Sequence, residues 1–462
     1  MKSKLLFFLF VRFSFCTMAQ QAIRPEQVFF LVMQEHPMAK QANLLPIMAE
    51  AYVLKAKAGF DPKFSYDYAQ KNYNDQVYYR LSDLQVKVPT WYGLSVKTGL
   101  ESNQGSYLNP ERSTPTNGLW YGGLSANLGN GLVIDERRAE LAKAKIYESA
   151  SQQEQRLKLN ELMFDAGSAY WNWLLTFHVQ VIYQSTFEIA TTRYQAVKRS
   201  VELGDRPAID TVEARIQWQQ RQALWRQSAT DCLNAQQELN RFLWLNGEPV
   251  VLAEGEQPIS LIEFQASTPK SIDAGPLDST VSQHPYLQLV DFKLAQLDVD
   301  RKWNKEQLKP VVELNYNLLN EPVQYNPFVQ FSANDYKVGI HAEMPLLLRK
   351  ERANLALTEL RIEQNRFEAQ QQQALLLTKM QNARRDYLNA VEQQLLFREQ
   401  AMDTKRLLEA EAAMFTQGES SLFMLNNREQ AAIQAQVKWL EWQVKTEQNW
   451  LKWQFLNARL VD

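Results

Sequence analysis

The sequence predicts a mainly α-helical chain with a minority of β-strands that act as barrel staves, the whole built from two internal repeats. Three observations predict this. Residues 116–206 contain no proline, and from about Val133 they read as one long helical run, broken at "SVELGDRPAID" (residues 200–210); a second long run is broken in the same way at "MFTQGESSLFM" (residues 414–424). Short segments of strict apolar–polar alternation stand ahead of each run. Landmarks also recur in one order in both halves: His36-Pro37 with His284-Pro285, Pro62 with Pro310, "ERRAELA" from Glu136 with "KERANLA" from Lys350, and Gly204 with Gly418. The spacing between matched landmarks shrinks by about 34 residues along the chain. The first copy therefore carries that excess between its early strand and its long helix.

Residues 1–19 begin with two lysines, continue through an apolar run and end in small residues at Thr17 and Ala19, the pattern of a cleaved export signal. No later run of eighteen apolar residues occurs, so no membrane-spanning helix is expected. Residues 20–246 form the first repeat. Pro37 stands at the first position of a short helix, where its missing N–H has no partner to lose. In "YGLSVKTGLE", Leu94, Val96 and Leu100 alternate with Ser95, Lys97 and Glu101, and "GLSANL" continues the pattern. Residues 73–90 remain open among loop, helix and an extra hairpin. A helix from about Val133 to Glu202 would be about 105 Å long, too long to bury itself in one compact domain, so it must pair as a coiled coil. Gly204 suits the left-handed position that ends such a helix, and Pro207 starts its return.

Residues 247–283 are rich in glycine and proline and read as a connector. Residues 284–462 form the second repeat. In "VVELNYNLL", Val312 and Leu314 alternate with Glu313; in "YKVGIHAEM", Val338 and Ile340 alternate with Lys337, His341 and Glu343. A soluble sandwich alternates in the same way. A few short strands tied to very long helices, however, cannot build a sandwich core of their own. They read as staves of a barrel shared between chains. Leu94, Val96, Val312, Leu314, Val338 and Ile340 would then face lipid, and Lys97, Glu101, Glu313, Lys337 and Glu343 a water-filled lumen.

The net charge of −2 leaves no electrostatic footprint for nucleic acid. Cys16 lies in the N-terminal segment, so Cys232 has no disulfide partner and reads as a packing residue. His36, His178, His284 and His341 form no i, i+4 pair, and neither HExxH nor CxxC occurs. No catalytic constellation, metal site or cofactor is expected. His36 and His284 read as structural residues before a helix-starting proline. Trp439, Trp442, Trp450 and Trp453 read as helix packing, and Arg138 and Arg352 as capping or surface ion-pair residues. Asp210 and Glu213 either answer the helix dipole in a first turn or make a functional contact at the turn.

The ordered set of export signal, two repeats, alternating strands, "ERRAELA" and the Gly204, Asp210, Ala214 hairpin resembles the TolC-type outer-membrane efflux family of Gram-negative bacteria. The resemblance spans essentially the whole mature chain. It implies a homotrimer with a shared outer-membrane β-barrel and a periplasmic α-barrel closed at its tip. It further implies a passive duct for efflux or type I secretion, joined through a periplasmic adaptor to an inner-membrane pump. The turns would form the tip, with Gly204, Asp205, Arg206, Asp210, Glu213, Gly418, Glu419 and Ser420 as adaptor contacts. The family's gate acids would fall at Met424 and Asn427, neither of which is acidic. The competing reading is a periplasmic coiled-coil adaptor or scaffold that does not span the membrane.

Overall fold

The computed structural model of the chain describes residues 22–461 apart from residues 254, 266–269, 273–274, 276, 278–280 and 322–330. The segment read as an export signal lies outside the described residues, as does part of the connector. The described helices begin with α1 (Pro25–Glu35) and α2 (Pro37–Lys57), which meet at His36. Four strands follow: β1 (Lys63–Tyr73), β2 (Gln76–Pro89), β3 (Leu94–Gln104) and β4 (Leu119–Asn127). The first long hairpin is α3 (Glu136–Glu202) and α4 (Ile209–Asn240). The second half repeats the order with α5 (Pro285–Glu306), β5 (Val311–Asn320), β6 (Tyr336–Glu343), α6 (Arg349–Thr416) and α7 (Leu422–Leu456). The extra length of the first copy is spent on the β1–β2 hairpin. Asn74 and Asp75 take φ of 50° and 58°, the two consecutive left-handed residues of a two-residue hairpin turn.

The chain divides into two compact units, and each draws on both repeats. One comprises Gln41–Leu159 and Gly275–Met380. It holds a six-stranded curled sheet in which β1 to β6 lie side by side in chain order, every neighbour antiparallel. Leu94, Ala126, Leu314 and Ile340 share one cross-strand row on one face. Lys63, Lys87, Lys97, Gly123, Asn317 and Lys337 share one on the other. Helix α5 packs beside the start of α3 through an ion pair of Lys143 with Asp300 at 3.0 Å. It meets the start of α6 through a buried hydrogen bond from Asn304 Nδ2 to Thr358 Oγ1 at 2.9 Å.

The other unit comprises the chain up to Lys40, Asn160–Ala274 and Gln381–Asp462. Its helices bury stripes of coiled-coil spacing. On α4 the buried residues Ala214, Arg221, Ser228 and Ala235 recur at every seventh position. On α7, Leu422, Asn426, Glu429, Ile433, Leu440, Val444 and Leu451 keep to one face. Large side chains of α3 fill the middle, where Tyr170, Trp173 and Leu174 are fully buried and the Tyr170 hydroxyl donates to the Ile23 carbonyl at 2.8 Å. Trp442 stacks on Phe397 with centroids 6.0 Å apart, and Trp450 packs on Tyr387 at 5.5 Å. Cys232 is buried in the α4 stripe, and burial pushes its thiol pKa up.

The repeat is visible in a shared cap. His36 Nδ1 accepts from the backbone N–H of Met38 and His284 Nδ1 from that of Tyr286, each at 3.2 Å. Each imidazole thus serves one of the N–H groups that a helix start leaves without an intrahelical partner. Arg138 acts at the entry to α3. Its guanidinium donates to the carbonyls of Gly131, Leu132 and Val133, while Asp135 Oδ1 accepts from its backbone N–H at 2.9 Å.

Candidate functional site

Two places gather the candidate residues: the polar face of the sheet and the pair of helical turns. A sheet in water buries its apolar face. Here the burial is reversed. On the inner strands Leu94, Val96 and Leu124 are 40%, 45% and 48% exposed, whereas Ser95 and Ser125 on the opposite face are each only 7% exposed; the edge strand β6 is open on both faces, with Val338 and Ile340 at 54% and 72%. Val312 and Leu314 are half-buried on the inner strand β5. Tyrosines enrich the exposed side, where Tyr316 stacks on Tyr336 with centroids 5.8 Å apart.

Hydrogen bonds link the polar face into a network. Lys97 Nζ donates to Asn315 Oδ1 at 2.8 Å and Ser125 Oγ to Glu313 Oε1 at 3.2 Å. The buried Tyr121 hydroxyl donates to Asp83 Oδ1 and accepts from Gln85 Nε2, both at 2.9 Å. Glu101 accepts from Asn103 Nδ2 at 2.7 Å and lies 3.9 Å from Lys337 Nζ. Lys337 and Glu343 are exposed, because they stand on the edge strand β6.

At the turns, Gly204 and Gly418 take φ of 82° and 79°. Each closes its helix with the same two backbone bonds. Gly204 N–H reaches Val201 O at 3.1 Å and Asp205 N–H reaches Ser200 O at 2.9 Å; Gly418 and Glu419 repeat this toward Phe415 and Met414 at 3.2 and 2.9 Å. This is the Schellman closure, which needs a left-handed residue. No atom lies within 4 Å of where a Cβ would stand on either glycine, so backbone conformation alone selects glycine there.

The two turns pack together through Val197, Ala214 and Leu422, with Val201 and Phe415 at the margin, and the Arg206 guanidinium lies 5.0 Å above the Phe415 ring. Asp205 and Glu419 are exposed. Arg206, Asp210, Glu213 and Ser420 are half-buried because they are spent on partners. Arg206 pairs with Asp210 at 3.5 Å, Glu213 accepts from Asn426 Nδ2 at 3.1 Å, and Ser420 donates to Glu411. Returning α4 begins at Ile209, two residues after Pro207. Helix α7 is capped by Ser421 Oγ, which accepts from Met424 N–H at 3.3 Å.

No family model and no curated protein sequence matches the chain. Solved structures do. The Campylobacter jejuni CmeC outer membrane channel superposes with a TM-score of 0.66 at 13% identity, covering 94% of this chain and 85% of that one. The open-state Neisseria gonorrhoeae MtrE outer membrane channel gives 0.67 at 12% identity, over 94% and 89%. The Vibrio cholerae outer membrane protein VceC gives 0.63 at 10%, over 94% and 96%. This is the TolC-type channel fold. The likeness is one of fold, so residue roles have to come from the geometry of this chain.

Within the TolC-type fold, an ionic network behind the turns went unread in the sequence. Arg193 on α3 grips Glu429 on α7 with two bonds of 2.7 and 3.2 Å, and also donates to Asn426 Oδ1 at 3.1 Å. Arg221 on α4 sits beside them at 3% exposure, and its Nη2 has no hydrogen-bond partner among the described residues. Burial, aided by neighbouring Arg193, pushes its pKa down from the ordinary arginine range, while Glu429 opposes the shift. One sequence signal existed: Arg221 occupies a core position of the seven-residue stripe on α4. Among the described residues no group of three His, Cys, Asp or Glu side chains could hold a metal ion, and no helix is long and apolar enough to cross a membrane.

Proposed function

We propose that the chain is the subunit of an outer-membrane exit duct, a passive conduit that a pump loads from the inner membrane through a periplasmic adaptor. The observation that carries this reading is the reversed sheet. Exposed Leu94, Val96 and Leu124 on one face, and buried Ser95 with the buried, hydrogen-bonded Ser125 and Tyr121 on the other, suit a wall with lipid outside and water inside. A periplasmic adaptor or scaffold, the competing reading, would have to bury that apolar face in a soluble domain. The edges support an oligomer. Among the described residues, strands β1 and β6 end the sheet with one side unpaired, and an open edge in hydrocarbon leaves backbone groups without partners. An even number of antiparallel strands makes the two edges run in opposite directions. The β1 edge of one copy can therefore continue the antiparallel order against the β6 edge of the next, giving a head-to-tail ring. The TolC-type resemblance supports three copies for that ring.

In this reading the turns at Gly204 and Gly418 form the periplasmic tip, with Asp205 and Glu419 as its exposed acids and Arg206, Asp210, Glu213 and Ser420 bracing them. No chemical step is assigned to the chain. The test is purification from outer membranes in mild detergent, followed by reconstitution in planar bilayers. A detergent-dependent oligomer with unitary conductance is expected. A stable monomer, or release without detergent, would reject the duct in favour of the scaffold. Crosslinking from Asp205 and Glu419 to the adaptor tests the tip, and crosslinks confined to residues 247–283 would reject it.

A further inference from the structure

The polar face of the sheet is not a mixture of charges. It is sorted by level. Lys63 on β1 pairs in register with Lys87 on β2, and Lys87 with Lys97 on β3. The same row continues through Gly123 and Asn317 to Lys337 on β6, so four of its six members are lysine. Two rows along in one direction stand Asp67, Asp83 and Glu101, also in register with one another. In the other direction the first carboxylate on β5 is Glu313, four residues from Asn317.

Stability alone would place opposite charges face to face across strands and avoid like pairs. This sheet does the reverse, setting three lysines in register on successive strands, whose backbones run about 4.8 Å apart. Lys63 and Lys87 have no ion-pair partner among the described residues. Lys97 is held by the neutral amide of Asn315 at 2.8 Å, and Lys337 reaches only the distant edge of Glu101 at 3.9 Å. Two further features serve the row. At Gly123 a Cβ would stand 2.4 Å from Asn317 Oδ1, so its absence keeps the middle of the row open. The Asn317 side-chain oxygen is itself buried with no hydrogen-bond partner among the described residues. A turn of that amide presents an N–H donor at the same point.

We propose that this row is an anion-binding collar for multivalent oxyanions, completed by the neighbouring copies of the chain. It rests on the duct reading, because only a closed barrel brings the rows of several copies around one space. Both ends of the row are lysine, Lys63 on one edge strand and Lys337 on the other, so the positive level runs to each junction. A solute carrying several phosphate or carboxylate groups offers what the row lacks, a set of acceptors that can bridge adjacent ammonium groups. The acidic level of Asp67, Asp83 and Glu101 repels anions, so it would confine a bound oxyanion to the lysine level.

The probe is inorganic tripolyphosphate. Its binding to the purified oligomer in detergent is measured by titration calorimetry at two salt concentrations, and its block of single-channel current is measured in planar bilayers. Wild type is expected to bind, with affinity falling as salt rises. The Lys87→Gln, Lys97→Gln double variant should bind at least tenfold more weakly. Lys305→Gln, on α5 and outside the row, should bind as wild type does. Absence of binding to wild type, or equal binding to the double variant, overturns the collar. A protein that conducts but does not bind overturns the collar alone. One that binds, loses binding in the double variant and never conducts overturns the duct and with it the closed collar, leaving the lysine row as a site of the single chain.

Discussion

Val338 and Ile340 on β6 stand as open to their surroundings as Asp205 and Glu419 do at the helical turns, yet the two pairs have opposite chemistry. At the turns the usual order holds: Ala214 and Leu422 are inside and charges are at the surface. In the sheet the order is turned over, with serines and a tyrosine hydroxyl inside and valine, isoleucine and leucine outside. The same chain therefore sorts its polar groups in two opposite ways. The difference teaches that exposure alone says nothing about function until the identity of the exposed group is read with it. It also marks where each kind of substitution should hurt.

The largest effect is expected where the helical region breaks its own rule and buries charge. Glu429→Ala would leave the Arg193 and Arg221 guanidiniums facing one another without their shared acid, at a cost of about 3–5 kcal/mol, the range for removing one partner of a buried pair. A lowered thermal midpoint of the oligomer should report it. A midpoint equal to wild type would show that the network is solvated after all.

Next comes Ile340→Arg. If the apolar face meets hydrocarbon, the cation costs about 2–4 kcal/mol at mid-membrane, whereas Lys337→Glu on the opposite face should be tolerated. Equal yields of assembled oligomer from the two variants would erase the distinction between the faces.

A smaller loss is expected at the turns. Gly204→Ala and Gly418→Ala should each cost roughly 1 kcal/mol, because a Cβ disfavours the left-handed position while meeting no neighbour. Proline there would cost more, since it forbids positive φ and removes the N–H that closes the helix. A Gly204→Ala protein as stable as wild type would show that the left-handed turn is not retained.

The smallest effect concerns pH. Burial holds the His36 and His178 pKa values below the ordinary histidine value, with the backbone partner of each opposing the shift. The folded state thus binds fewer protons than the unfolded chain near pH 6. This contribution to stability is fully present above about pH 6.5 and is lost as pH falls through the lowered folded value. His36→Asn, which keeps a side-chain acceptor for the cap, should flatten that dependence in a thermal-shift series from pH 7.5 to 5. An unchanged slope would assign the effect to other groups.

Much of the fold was legible because it is written in period and punctuation. Alternation at Leu94–Glu101 and Val312–Leu318, a glycine at the end of each long helix, and His-Pro before each short helix are all local signals. The β1–β2 hairpin was not legible in the same way. Alternation is clear from Leu84 to Val88 but lapses toward Tyr78–Leu81 near the turn, and Asn74-Asp75 is a weaker hairpin signal than Asn-Gly. The network of Arg193, Arg221 and Glu429 joins three helices distant in sequence, so no spacing within one segment announces it. The lysine row was hidden for a related reason. Its members are far apart in the chain, and only the strand register sets them side by side.

Strands β4 and β5 are neighbours in the sheet, with Asn127 opposite Glu313, but the chain between them includes the whole first helical hairpin and the connector. Strands β1 to β4 pair through successive local hairpins, and β5 with β6 do the same. The β4–β5 seam closes the longest loop in the sheet and carries its largest loop-closure entropy. Until residues near 313 are made, a nascent chain can offer only a four-stranded meander with a bare edge at β4. Folding of the wall is therefore tied to completion of the second half, and a chain truncated in the connector would present that edge to any other strand it met.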